Sequence, residues 1–142
     1  MSTPESQPRT AAVKTLFGLL LFQALGGLSG GIMLAADPRG EFSGLRVEDL
    51  SGSPFETFTI PGIILLLALG LFPLAAAIGV WRGRFWAWWS AGMVGVGLFI
   101  WIAVEVQYIA FSWLQVFIAA LGLAIILACL PSSVRRYCGV AR

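Results

Sequence analysis

Apolar residues fall along this chain in four long, nearly unbroken stretches, at about 13–36, 60–81, 85–104 and 109–130. A helix rises 1.5 Å per residue, so about 20 apolar residues cross roughly 30 Å of hydrocarbon. Each stretch is long enough. The pattern predicts an all-α integral membrane four-helix bundle, with a disordered tail over residues 1–12, a four-span domain over 13–131 and a basic tail over 132–142.

Polar residues punctuate the stretches. Pro61 falls in the first turn of the second span, where a missing N–H costs little. Pro131 follows the fourth span, where proline commonly ends a helix. The third and fourth spans are harder to part, because Gly122 is the only glycine or proline between Phe99 and Pro131. One helix over 85–130 would exceed any bilayer. The break is expected at Glu105, Gln107 and Tyr108, as a tight hairpin.

The segment 37–59 is the one sizeable polar connection. Asp37-Pro38-Arg39-Gly40 reads as a turn closing the first span. Ser53-Pro54-Phe55-Glu56 matches a capping box with proline at the first helical position. It predicts a short helix lying on the interface, with Phe55 and Phe58 on one face. An irregular loop with a single helical turn is the alternative.

Composition agrees with a membrane location. The chain is 58% hydrophobic and 11% charged, with mean hydropathy +0.89, whereas soluble domains carry about 25% charged residues. The net charge of +2 hides an asymmetry. Arg9, Lys14, Arg82, Arg84, Arg135, Arg136 and Arg142 flank one set of span ends. Asp37, Glu41, Glu48, Asp49 and Glu56 gather at the other, with Arg39 and Arg46. Basic residues stay inside, so both termini are expected in the cytoplasm. A cleaved signal peptide is the rival reading of the first span, since Lys14 precedes it and Met33-Leu34-Ala35 offers small-residue cleavage options. The apolar run is much longer than a signal core. The basic residues form no stripe, which argues against nucleic acid as a partner. The chain has no histidine. Cys129 and Cys138 both fall on the cytoplasmic side, where thiols stay reduced.

Within the spans a few residues stand out. Gly26/Gly30 and Gly27/Gly31 are overlapping G-x-x-x-G pairs in the first span, and small residues let helix backbones approach closely in lipid. Ala75/Gly79, Ala91/Gly95 and Ala120/Ala124/Ala128 repeat the device. These faces serve packing within one bundle, or a homo-oligomer or membrane partner. Pro73 lies mid-span and cannot donate to the Leu69 carbonyl, so a kink is expected. Gln23 and Gln115 are expected to bond across helices, because an unpaired amide in hydrocarbon is costly. Trp81, Trp86, Trp88 and Trp89 read as an interfacial belt. Glu105, with Gln107 and Tyr108, is the one ionisable cluster within reach of the hydrocarbon. No nucleophile–base or metal motif is present, so no catalytic, cofactor or metal residue is assigned.

The stretches Gly30-Gly31-Ile32-Met33-Leu34, Asp37-Pro38-Arg39-Gly40, Ser53-Pro54-Phe55 and Ile60-Pro61-Gly62-Ile63 resemble those of small four-span bacterial membrane proteins of uncharacterised role. The likeness covers about the first half of the chain. It implies a bacterial inner-membrane location and brings no activity or cofactor with it. The expected function is that of a structural, accessory or partner-binding membrane subunit in the lipid bilayer. A small oligomeric transporter or channel using Glu105 and the glycine-rich first span is the alternative, and a membrane enzyme the third.

Overall fold

The computed structural model describes residues 10–41, 48, 51, 54, 56–107 and 111–140. Among the described residues about 80% are helical and none is in a strand. Helix α1 spans Ala11–Ala36. The second long apolar helix, Thr59–Trp81, consists of α2 (Thr59–Leu66), a π-helical turn (Leu67–Leu71) and α3 (Phe72–Trp81). It is followed by α4 (Phe85–Glu105), α5 (Trp113–Cys129) and a short α6 (Ser132–Tyr137). Helix α1, Thr59–Trp81 and α4 are each long and apolar enough to cross a membrane. Helix α5 is apolar and 17 residues long.

Several boundaries differ from the expectation, each for a local reason. Ala11 and Ala12 are helical, because the Thr10 hydroxyl caps α1 by accepting from the Val13 N–H at 3.4 Å. The remaining tail expected over 1–9 lies outside the described residues. Helix α5 starts at Trp113, four residues later than expected, because Ser112 and Gln115 form a reciprocal capping box. The sequence carries this signal as S-x-x-Q. Part of the expected basic tail folds as α6, directly after Pro131.

The interfacial helix is not seen at Pro54 or Glu56–Phe58, which are bends; Ser53 and Phe55 lie outside the described residues. At Phe58 the reason is visible. Its N–H donates to the Pro38 carbonyl at 2.9 Å, which removes it from any local helix, and its ring is buried. The Asp37–Gly40 turn does form. The Gly40 N–H reaches the Asp37 carbonyl at 3.0 Å, the Glu41 N–H reaches Asp37 Oδ1 at 2.9 Å, and Gly40 takes a φ of 73°.

The helices pack in a ring: α1 on α3, α3 on α4, α4 on α5, and α5 back on α1, with α2 continuing along α1. The core lies toward one end. Val13, Leu16 and Leu20 meet Ala76, Ala77 and Val80, then Ala87, Ala91 and Val94, then Ile125 and Cys129, and Val134 of α6 closes the base. At the other end few large side chains are buried, and α1 meets α2 through glycine.

Candidate functional site

The middle of the bundle holds one polar junction, built around Pro73, the Leu69 carbonyl and Gln23. Pro73 has no N–H, so the Leu69 carbonyl one turn before it lacks its ordinary helical donor. In water a solvent molecule would fill the gap. In hydrocarbon an orphaned carbonyl costs several kcal/mol. Beside it the helix widens into a π turn over Leu67–Leu71, where the Phe72 N–H bonds back to the Leu67 carbonyl. The Leu69 carbonyl itself is answered by Gln23 of α1, buried, which donates its Nε2 amide to it at 3.0 Å. Gln23 therefore bonds across helices, as expected, and its partner is the carbonyl that Pro73 frees.

Glycines bring the two backbones close enough for this bond. A Cβ on Gly27 would run into the Leu69 carbonyl, and one on Gly31 would sit 2.6 Å from the Leu66 backbone. From the other side, a Cβ on Gly62 would lie 2.6 Å from the Ala35 nitrogen and one on Gly70 2.9 Å from that of Leu28. Gly27 and Gly31 thus serve packing within the bundle. Their neighbours do not. Gly30 would meet only the tip of the Leu65 side chain at 3.3 Å, and Gly26 meets nothing within 4 Å. The two overlapping pairs separate by face: Gly27/Gly31 inward, Gly26 outward with Gly30 at the edge.

The second candidate cluster comes together only in part. Glu105 ends α4, half-buried. Its Oε2 is buried without a partner among the described residues. Gln107 is exposed and donates to the Ala103 carbonyl at 3.0 Å, so it closes its own helix and does not approach Glu105. Tyr108 lies outside the described residues. Of the two arginines in the polar connection, Arg39 is exposed and Arg46 lies outside the described residues. Gln115 corrects a further expectation. Its Oε1 accepts from the Ser112 N–H at 3.3 Å as part of the cap, and its buried Nε2 has no partner among the described residues, so among these it makes no bond to another helix.

The arginine end is more ordered than the pattern of tryptophans implied. The Tyr137 hydroxyl of α6 donates to the Trp81 carbonyl at 2.6 Å, and the Trp88 indole donates to the Cys129 carbonyl at 2.8 Å. Trp81 also lies 4.7 Å from Phe17, ring centre to ring centre. Two of the four tryptophans therefore satisfy or offer helix-end carbonyls, while Trp86 and Trp89 are exposed. Helix α3 stops in a Schellman turn, with Gly83 at a φ of 68°, Arg84 N–H on the Gly79 carbonyl at 2.9 Å and Gly83 N–H on that of Val80 at 3.0 Å. The Tyr137 bond was not readable from spacing, since it joins residues 56 apart. Burial pushes the Cys138 thiol above its ordinary range.

Chemically, the junction is a structural lock. It holds no titratable group, and its amide and carbonyl satisfy each other. Compared with known protein families, curated proteins and solved structures, the chain matches none.

Proposed function

We propose that this chain is a non-enzymatic four-span protein of a bacterial inner membrane. In this reading both termini are cytoplasmic and the protein acts as an accessory or partner-binding subunit. The observation that carries the reading is how the interior polar groups are used. Gln23, Trp88 and Tyr137 each bond a backbone carbonyl of a neighbouring helix, and Leu16, Leu20, Leu98 and Ile125 fill the space between them. Such an interior supports packing, and leaves recognition to the outer faces. The 17 residues of α5 rise about 25 Å, at the short end of the lengths that cross a bilayer, which supports a fourth span. The exposed Arg82, Arg84, Arg135 and Arg136 at one end support the orientation.

The test is affinity purification of the full chain after cross-linking in its own membrane, beside ion and solute flux in liposomes. A stoichiometric membrane partner without flux is expected. Flux without a partner would overturn the reading. One observation favours transport as the second reading: Glu105 Oε2 is buried without a partner at the end of α4. Glu105→Gln keeps shape and hydrogen bonding but removes titration. Loss of cellular function in a folded Gln variant would favour that second reading.

A further inference from the structure

An apolar groove of about 590 Å³ runs along the outside of α4 and α5. Its wall on α4 passes from Trp88 through Gly92 and Gly97 to Ile100, and on α5 it is bounded by Ile126 and Leu130. The glycines make the groove: a Cβ on either Gly92 or Gly97 would meet nothing within 4 Å. Trp88 to Ile100 is twelve residues of helix, about 18 Å of rise, close to the depth of one leaflet, half of a hydrocarbon core of about 30 Å. The groove therefore begins at one surface and ends near the midplane.

The surface it begins at is the cationic one. Arg84 precedes Trp88 by one turn, and Arg135 follows Leu130 by five positions. Both arginines are exposed, as are Lys14, Arg82 and Arg136. Among the described residues, every carboxylate (Asp37, Glu41, Glu48, Glu56 and Glu105) belongs to the opposite end. The cations at this end of the bundle thus lack an acidic partner of their own among these residues.

The geometry points to a binding site for one anionic phospholipid of the leaflet that carries the arginines. An acyl chain lies in the groove against Gly92 and Gly97, and the phosphate-bearing headgroup sits by Arg84 and Arg135. Trp88 shapes the mouth and contributes no donor, because its indole N–H is held by the Cys129 carbonyl. The site requires only that α4 cross the bilayer; it is independent of which compartment the arginines face and of the accessory role proposed above.

The test is native mass spectrometry of the purified full chain in mild detergent, titrated with phosphatidylglycerol or phosphatidylcholine. Phosphatidylglycerol is expected to be retained at least five-fold better. Each cation near a membrane surface is worth about five-fold in attraction to anionic lipid. Arg84→Gln and Arg135→Gln should each lower phosphatidylglycerol retention by about that factor and leave phosphatidylcholine unchanged. Gly97→Leu should lower retention of both by filling the groove. Should it prevent folding, as judged by melting without added lipid, Ile100→Trp at an exposed position closes the same groove. Equal retention of the two lipids, or unchanged phosphatidylglycerol retention in a folded groove-filled variant, would overturn the proposal. So would groove filling that changes the oligomeric mass while lipid retention stays constant, since the occupant would then be a second copy.

Discussion

A proline in the middle of a membrane helix leaves a carbonyl that lipid cannot solvate, and Gln23 is the side chain that answers it. The pair should therefore be energetically coupled. Gln23→Leu removes the donor and leaves the Leu69 carbonyl buried, at an expected cost of about 1 kcal/mol, since hydrogen bonds within membranes are worth about 0.6 on average and 1.7 at most. In a Pro73→Ala background, residue 73 regains its own N–H, and the same Gln23→Leu change should cost less than half as much. Reversible unfolding of the four variants in mixed micelles measures the cycle. Equal costs in both backgrounds would show that Gln23 serves some other end. The glycines give a second residue-scale contrast. Gly27→Ala and Gly31→Ala should sharply lower melting temperature, because the new methyl meets backbone rather than a movable side chain. Gly26→Ala, which meets nothing, should be neutral or slightly stabilising through helix propensity. Gly30→Ala should fall between them. Both G-x-x-x-G pairs were visible in the sequence. Gln23 marks which of them faces inward, since it lies four positions before Gly27 and eight before Gly31 on one helix face and is buried with them; reading that face required taking the amide and the glycines together.

At the scale of elements, ends were harder to read than spans. The three long helices from Ala11 to Glu105 fall within two residues of the apolar stretches that predicted them, at the length hydrocarbon thickness demands of a span. The start of α5 moved because a cap decided it: Ser112→Ala should cost about 1 kcal/mol and fray the first turn, readable as faster amide exchange at Trp113–Gln115. Helix α6 is too short to carry its own hydrophobic signature, and the bond that docks it spans the whole second half of the fold. Its docking makes a prediction about pH. Cys138 is buried, which disfavours the thiolate and raises its folded pKa. The unfolded thiol titrates near 8.5. Stability should therefore hold level below that value and fall as pH rises through the alkaline range, because the unfolded chain releases its proton first. Cys138→Ala should flatten this slope. In the same experiment, Cys138 should resist maleimide at pH 7 until the protein is unfolded.

For the whole molecule, the charge asymmetry makes a topological prediction. Compartment reporters fused after residue 142 or inserted in the Arg82–Arg84 turn should report inside, and one at Gly44 outside. An external reading at residue 142 would break either the fourth crossing or the orientation. The long apolar helices were legible because bilayer thickness acts on composition, which every residue contributes to. The junction at Gln23 was half legible: the freed carbonyl and the amide were each recognisable, while their meeting depended on how α1 turns about its axis.

The base of the bundle also has an order in time. Val134 of α6 belongs to the same core cluster as Val13 and Leu16 of α1, so the first and the last of the described helices share one floor. Roughly 120 residues separate their starts, which at about 5–20 residues per second is about 6–24 s of synthesis. Through that interval the glycine-joined α1 and Thr59–Trp81 pair can settle in the membrane, because everything it needs is already made. The floor beneath it stays uncovered. A newborn chain is therefore a finished hairpin standing on an open base, and it is in those seconds that an insertase or a quality-control protease would meet it.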